Sequence, residues 1–176
     1  MKKIIHLFVL CALMLAYGCS HNEDKFKNNL YYANNFESID GWCGNPLIFR
    51  CSAHSGKYAC RIDKDHVYSM GFEGSIKEIS GKGLKKINVN AWIKVENSGA
   101  WAKVVVEARN AQDSIISWNA VITKDFNMKT GEWFPVSGSF DLPDSILDGK
   151  IKVYIFNQTP DVLFADDLGI LFEEKN

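Results

Sequence analysis

The sequence predicts an all-β chain folded as an antiparallel β-sandwich of the jelly-roll type, and three observations support this prediction. Short runs rich in Val, Ile, Tyr, Phe and Trp recur from Leu30 onward, and Gly, Asn, Asp and Pro separate them. No long stretch has the apolar spacing of an amphipathic helix. The runs form one block without repeats or an internal linker, so a single domain over residues 30–173 is expected.

Ten runs are predicted as strands: 30–37, 47–52, 57–63, 67–73, 86–95, 101–109, 114–122, 133–141, 150–157 and 162–172. Side chains alternate between the two faces of a strand, and this predicts the core face of three of them. The predicted core residues are Val89, Ala91, Ile93 and Val95, then Ala102, Val104, Val106 and Ala108, and finally Ile151, Val153 and Ile155. Trp118 and Trp133 are assigned to the core or its edge.

The opposite faces of the same three strands mix rings with amides and charges. The residues are Asn90 and Trp92, then Trp101, Glu107 and Arg109, and Tyr154. This combination is typical of a sugar-binding platform, because rings stack on a pyranose while amides and charged groups bond its hydroxyls. A single outward Trp that only covers a neighbouring loop is the alternative for each position.

The first eighteen residues are predicted to be a lipoprotein signal peptide rather than part of the fold. Lys2 and Lys3 precede an apolar run from Ile4 to Tyr17 that is shorter than the roughly 20 residues of a membrane-spanning helix. Gly18 directly before Cys19 resembles a bacterial lipobox, which predicts lipidation of Cys19. Ala16 and Tyr17 depart from the usual lipobox pattern, so an ordinary signal peptide cut nearby remains the alternative.

A polar tether is predicted at 19–29, between the lipid anchor and the domain. Its acidic pair, Glu23 and Asp24, favours the outer face of an outer membrane, so we expect an outer-membrane lipoprotein at the cell surface or the periplasmic face. The 20 basic and 21 acidic residues of the chain nearly balance. No strong field therefore favours nucleic acid or an anionic bilayer, and contact with the membrane is expected through the lipid only.

Three cysteines remain after the signal peptide and Cys19, so at least one thiol is free or pairs with another molecule. The midpoint of Cys51 and Cys60 falls between Ser55 and Gly56, where a hairpin turn is expected. The two cysteines would then lie opposite one another, which makes a disulfide between them possible. A zinc site is less favoured, because the spacings are long and the export route is oxidising.

The segment "FADDLGILF" at 164–172 places a carboxylate on an apolar face. Alternation groups Asp166 with Phe164, Leu168, Ile170 and Phe172. An uncompensated carboxylate there costs several kcal/mol or stays protonated, so a partner for Asp166 is expected. Backbone N–H groups, Lys57 or Arg61 could supply it.

Five segments together resemble the jelly-roll carbohydrate-binding modules of the xylan- and glucan-binding type, within the galactose-binding-like group. They are "NNFESIDGW" (34–42), "HSGKYACRI" (54–62), "INVNAWIKV" (87–95), "GEWFPVSGSFDLP" (131–143) and "FADDLGILF" (164–172). The resemblance covers nearly all of 30–172 and implies the same fold. It also implies glycan binding, through either a concave sheet face or the loops at one end of the sandwich.

The resemblance further implies a structural calcium ion. Its ligands would be the Asn35 carbonyl, the Glu37 carboxylate, main-chain oxygens near His54 and Lys57, and the Asp166 carboxylate. Calcium takes 6 to 8 oxygen ligands. Imidazole is a poor calcium ligand, so His54 could contribute only its carbonyl.

For a glycan site on the concave face, the candidates are Trp92, Asn90, Trp101, Glu107, Arg109 and Tyr154. For the loops they are Trp42 and Tyr68. Motifs of hydrolases, zinc proteases and phosphate-binding loops do not occur, so an enzyme is not expected. The leading hypothesis is a non-catalytic lipoprotein that binds poly- or oligosaccharide. The alternative is a structural or protein-interaction module of an outer-membrane assembly that binds no sugar.

Overall fold

The computed structural model describes residues 29–44, 47–51, 53–144, 146 and 148–176. The predicted signal peptide, Cys19 and the tether as far as residue 28 lie outside the described residues. No helix among the residues described is long and apolar enough to span a bilayer.

Strands make up most of the described chain. They are β1 (Asn29–Asn34), β2 (Leu47–Arg50), β3 (Tyr58–Ile62), β4 (Phe72–Ser75), β5 (Leu84–Val95), β6 (Ala102–Asn110), β7 (Ile115–Ile122), β8 (Trp133–Asp141), β9 (Gly149–Asn157) and β10 (Leu163–Glu174). A single helical turn, α1 (Ile76–Ile79), follows β4, and a 3-10 turn (Thr123–Asp125) follows β7. The fourth strand is shorter than predicted, because Tyr68 and Gly71 form only isolated bridges before it.

The strands form two antiparallel sheets that pack face to face. The larger has the order β2-β3-β10-β5-β8, and β1 pairs with the second half of β10 beside β3. The smaller has the order β4-β9-β6-β7. The predicted fold class, an antiparallel jelly-roll β-sandwich, is confirmed.

Alternation predicted the core faces of β5, β6 and β9 correctly. Their predicted core residues are at most 2% exposed and belong to one hydrophobic cluster between the sheets. The aromatic members of the core include Phe36, Phe72 and Phe172, and the ring of Phe72 lies 5.7 Å from that of Phe172. Burial of this apolar area is the main force holding the two sheets together.

Assignment of Trp118 to the core or its edge was wrong. It lies on β7, an edge strand, and is 44% exposed. Trp133 opens β8, the edge strand of the larger sheet, where Lys94 lies over its ring on the outer side. Trp133 therefore belongs to the edge of the sandwich and not to its core.

A β-bulge changes the face that Asp166 occupies. The register of β10 against β5 shifts between Asp166 and Gly169, and Asp167 within the shift has a φ of 48°. Leu163 and Ala165 face the core before the bulge, whereas Leu168, Ile170 and Phe172 face it afterwards. Alternation predicted that Asp166 and Leu168 share a face of β10. They do not, because the extra residue in the bulge reverses which side chains face the core after it.

The predicted disulfide between Cys51 and Cys60 is absent, and both thiols are free. In the hairpin of β2 and β3, Cys60 pairs with Ile48, and the Cys51 N–H donates to the Lys57 carbonyl at 3.3 Å. The centre of the hairpin turn therefore lies earlier in the chain than the midpoint between the two cysteines, and Cys51 lies across from Lys57 instead of Cys60. Cys60 is buried in the core, and burial raises its pKa to about 12.

Candidate functional site

The predicted concave-face residues divide between two sides of the molecule. Asn90 and Trp92 lie on β5, on the outer face of the six-stranded sheet. Glu107 and Arg109 on β6, Tyr154 on β9 and Trp101 just before β6 belong to the four-stranded sheet. Alternation gives the face of a residue within its own strand but not the sheet to which that strand belongs, so the single face predicted from sequence was wrong.

A cleft of about 390 Å³ lies on the outer face of the four-stranded sheet. Its lining combines charges, rings and one thiol: Cys43, Tyr68, Glu73, Glu107, Arg109, Lys152 and Tyr154. Three of these were predicted for the concave face and one for the loops. We refer to this surface as the cleft.

Glu107 is the central polar group of the cleft and is only 4% exposed. The Tyr154 hydroxyl donates to its Oε2 at 3.2 Å, and the Arg109 Nε donates to its Oε1. Arg109 also donates from Nη1 to the carbonyl and the carboxylate of Asp113, at 2.9 and 3.1 Å. The hydrogen bond to Glu107 raises the pKa of Arg109, and burial raises that of Tyr154. These contacts fix the rings and donors of the cleft in place before any ligand arrives.

Exposed rings flank this polar centre. Tyr68 is 53% exposed, meets Tyr154 edge-on at 5.7 Å and stacks on Phe156 at 4.8 Å. On the other side, Trp118 pairs directly with Glu107 across β6 and β7, and Lys152 pairs with Glu107 across β6 and β9. Lys152, Glu107 and Trp118 thus form one row across three strands. Trp101 lies just before the start of β6, and the Lys103 ammonium group approaches the rings of both Trp101 and Trp118.

A network of paired charges forms one end of the cleft. Glu73 accepts from Lys150 at 3.2 Å and from Lys152 at 2.8 Å. Lys150 also lies 3.2 Å from Asp113, which links this group to Arg109 and Glu107. The lysine hydrogen bonds lower the pKa of Glu73 and of Asp113, so these carboxylates are ionised at neutral pH. We call these six residues the charged network.

The two loop candidates do not form a separate site. Tyr68 lines the cleft, as described. Trp42 packs its ring against Phe72 at 6.0 Å and is half-buried at the edge of the core. The next residue, Cys43, exchanges two backbone hydrogen bonds with Gly71 at 2.7 and 2.8 Å, which holds this loop against the cleft.

On the opposite side of the sandwich, the ring of Trp92 is covered. His54 stacks on it with the ring centroids 3.7 Å apart and an angle of 14° between the planes. The His54 Nδ1 lies 2.6 Å from the Asp167 carboxylate, which positions the imidazole. One face of Trp92 is therefore occupied by the protein itself and is not free to stack on a sugar. Asn90 is exposed nearby, with its amide 3.5 Å from the Asp167 carbonyl.

The partner of Asp166 is a set of backbone N–H groups. His54 and Ser55 donate to its Oδ2 at 2.9 and 3.1 Å, and Asp167 donates to its Oδ1 at 2.8 Å. Glu37 acts similarly, since its Oε1 accepts from the N–H groups of Lys57 and Tyr58 at 2.6 and 2.7 Å. Burial raises the pKa of Asp166, and the backbone hydrogen bonds lower that of Glu37. Two carboxylates thus hold the turn at 53–58 against the larger sheet.

This arrangement does not fit the expected calcium site. A calcium ion needs oxygen atoms around it, but the main chain of His54 and Lys57 presents N–H groups to the carboxylates. The side chain of Asn35 accepts from the Glu37 N–H at 3.3 Å. Among the described residues, no group of three or more His, Cys, Asp or Glu side chains is placed to hold a metal ion. Calcium binding therefore stays a prediction, and the geometry favours compensation of Asp166 by N–H groups.

Replacing Gly56 with alanine is expected to destabilise this turn. Gly56 has a φ of +64°, and a Cβ there would lie 2.4 Å from Oε1 of Glu37. The backbone conformation alone costs a non-glycine residue about 1 kcal/mol, and displacement of the Glu37 carboxylate adds to this. Urea unfolding should show the loss. Gly99→Ala is the control, since its Cβ meets nothing within 4 Å and its φ is not in the left-handed region.

Several known proteins share this architecture. The CBM22-1 xylan-binding domain of Paenibacillus barcinonensis Xyn10C superposes with a TM-score of 0.56 at 15% identity, covering 82% of this chain and 95% of that domain. The C-terminal family 22 carbohydrate-binding module of Clostridium thermocellum Xyn10B gives 0.57 at 12% identity, covering 84% and 95%. The chain folds as a carbohydrate-binding-module-like jelly roll. At these identities the similarity establishes the fold and leaves the ligand open.

Two curated proteins are similar in sequence. Endo-1,4-beta-xylanase A of Thermoanaerobacterium saccharolyticum is 31% identical over 130 residues, which cover 70% of this chain and 10% of the xylanase. Endo-1,4-beta-xylanase A of Thermotoga maritima is 26% identical over 120 residues, which cover 68% of this chain and 11% of the xylanase. The chain thus spans about a tenth of the length of these relatives. No family model matches it.

Two charged residues that line the cleft, Glu73 and Lys152, were not predicted as site residues from the sequence. Neither were two rings beside the cleft, Trp118 next to Glu107 and Phe156 under Tyr68. Alternation within β9 had placed Lys152 and Phe156 on the face of Tyr154, so a signal for them existed. The sequence pattern was misleading for Trp118, because the apolar face of β7 points away from the core. The exposed large side chains of β7 include Ile116 at 40% and Ile122 at 37%. Glu73 lies in β4 (Phe72–Ser75), a strand that the sequence placed too early, at 67–73.

Proposed function

We propose that the chain is a non-catalytic glycan-binding domain, and that its ligand lies in the cleft. The observation that carries the proposal is the setting of Glu107, a nearly buried carboxylate on an outward face, bonded by Tyr154 and Arg109 and flanked by exposed rings. A carboxylate held in this way offers a fixed acceptor for sugar hydroxyls, while Tyr68 and Trp118 offer faces for stacking. Affinity in the millimolar to micromolar range is expected, about −4 to −8 kcal/mol.

The similar proteins support a β-linked plant polysaccharide as the first ligand to test. Three of the structural neighbours are xylan-binding domains, and both curated relatives are xylanases. Xylan is accordingly the ligand we propose, in an open cleft that leaves room for a chain of several sugars. The lipid anchor at Cys19 and an outer-membrane location form part of the same proposal and await their own test.

A second candidate function, docking to another protein, is favoured by one observation. The edge strand β7 exposes large apolar side chains, including Ile115 at 51% and Ile116 at 40%. Natural edge strands usually carry charges or Pro, and β7 has neither. A protein partner would cover these side chains, whereas a glycan would use chiefly Trp118 among them.

Affinity electrophoresis through gels containing xylan separates the two functions. Trp118→Ala is expected to abolish retardation while changing the melting temperature little, because the ring is 44% exposed. Trp92→Ala is the matched control, since Trp92 lies on the opposite sheet beneath His54. Loss of retardation in Trp92→Ala, with Trp118→Ala unaffected, would place the glycan on the larger sheet and overturn the proposed site. If no polysaccharide retards the wild type, protein docking becomes the better account.

A further inference from the structure

We propose that the cleft selects neutral polysaccharides against acidic ones, and that Glu73 determines this selectivity by neutralising Lys150 and Lys152. This inference rests on the proposed function, because it names the class of glycan that the same cleft takes. It follows from how the charges around the cleft are paired.

Every cation of the charged network already has a carboxylate partner. Arg109 bonds Glu107 and Asp113, Lys150 bonds Glu73 and Asp113, and Lys152 bonds Glu73. Three positive groups thus face three negative groups. An acidic sugar entering the cleft finds no unpaired cation in this network and meets the carboxylates of Glu73 and Glu107 instead. Like charges brought together without compensation weaken binding and discriminate against the wrong ligand.

Other cations on this face lie away from the charged network. Lys103 Nζ is 5.2 Å from the ring centroid of Trp118, and Lys124 Nζ is 5.6 Å from that of Trp101. Lys103 lies at the start of β6 and Lys124 in the turn after β7, at the end of the sheet opposite Arg109. They lie over the two tryptophan rings, and neither lysine belongs to the lining of the cleft around Glu107.

Among the described residues, Glu73 alone has a carboxylate that bridges both lysines, with Oε1 on Lys150 and Oε2 on Lys152. It also lies where the cleft meets a neighbouring cavity of about 420 Å³ that includes Lys150 in its lining. Removing this charge would leave Lys152 without a carboxylate partner and Lys150 with Asp113 alone. The side chains of Lys152 and Lys150 are 28% and 40% exposed, so both ammonium groups would then be available to a carboxylate of the ligand.

The test uses one polysaccharide in two chemical forms, an acidic xylan that carries uronic acids and the same xylan after reduction of its carboxylates to alcohols. Affinity electrophoresis and calorimetry would compare the wild-type chain with Glu73→Gln. Wild type is expected to bind the reduced form about tenfold more tightly than the acidic form, a difference that corresponds to the free energy of about one charged contact. Glu73→Gln is expected to remove this difference in affinity by binding the acidic form more tightly than wild type does. Raising the salt concentration should narrow the wild-type difference, since exposed charges are screened.

Glu132→Gln is the matched control, because it removes the same charge from an exposed pair with Lys129 away from the cleft lining. It should leave the preference unchanged. Equal binding of both xylan forms by wild type overturns the charge selectivity while the proposed function stands. Failure to bind either form overturns both. If Glu73→Gln does not fold, the wild-type comparison of the two forms still decides whether the cleft selects against acidic glycans.

Discussion

Replacement of Asp166 with alanine is expected to lower the free energy of unfolding by about 3 kcal/mol, because it removes the acceptor of several buried N–H groups. Asp166 is fully buried, and His54, Ser55 and Asp167 all donate to it. Each unsatisfied buried donor costs about 1–3 kcal/mol, and water entering the loosened turn recovers part of this. Urea unfolding of the variant and wild type at neutral pH measures the difference.

Two comparisons sharpen this result. Asp166→Asn keeps one oxygen acceptor and should cost less than Asp166→Ala. Asp65→Ala removes an exposed carboxylate paired with Lys64 and should change stability little. The melting temperature of wild type is expected to be the same in EDTA and in calcium, because N–H groups occupy the carboxylate oxygens. A marked rise in melting temperature with calcium would contradict this and restore the metal site suggested by the family resemblance.

Replacement of Glu107 with alanine is expected to weaken glycan binding strongly and to lower the free energy of unfolding by about 2 kcal/mol. The change leaves the Tyr154 hydroxyl without its acceptor and Arg109 with Asp113 as its remaining carboxylate. Binding should weaken by a factor of about 30 or more, which corresponds to the loss of one strong charge-assisted contact. Calorimetry with xylan oligosaccharides and urea unfolding would measure the two effects on the same samples.

Glu107→Gln separates the two roles. It keeps an oxygen for Tyr154 but removes the charge, so stability should be largely retained while binding falls. Tyr154→Phe, alone and combined with Glu107→Gln, completes a double-mutant cycle that isolates the contribution of their hydrogen bond. If Glu107→Gln binds xylan as tightly as wild type, the carboxylate is structural and the ligand does not contact it.

The two experiments address different sides of the sandwich. Asp166 and the 53–58 turn stabilise the outer face of the six-stranded sheet, whereas Glu107 organises the cleft on the four-stranded sheet. We therefore expect Asp166 variants to retain glycan binding under conditions in which they are folded. A variant of Asp166 that folds but loses binding would show that the glycan contacts the larger sheet.

The sequence by itself determined most of the secondary structure and the core. Alternation of Val89, Ala91 and Ile93 with Asn88, Asn90 and Trp92 is a local property of an extended chain, and burial confirmed it. The same reasoning predicted that Glu107, Arg109 and Tyr154 face outward. It also predicted that Asp166 needs a partner, since a carboxylate among apolar side chains carries a desolvation cost that hydrogen bonds or an opposite charge must offset.

Only the tertiary structure decided which strands share a sheet, and hence which outward residues meet. The pairing of β6 with β9 brings Glu107 and Tyr154 together, while β5 pairs with β10 and carries Trp92 to the opposite side. One inserted residue at Asp167 reversed the faces of β10, and the register of β7 on β6, which pairs Trp118 with Glu107, turned Trp118 outward. The physical reason is that the pattern of apolar and polar residues along a strand indicates which of its faces is buried. Which strands become its neighbours depends on hydrogen bonds between distant parts of the chain, and these cannot be predicted from a local pattern.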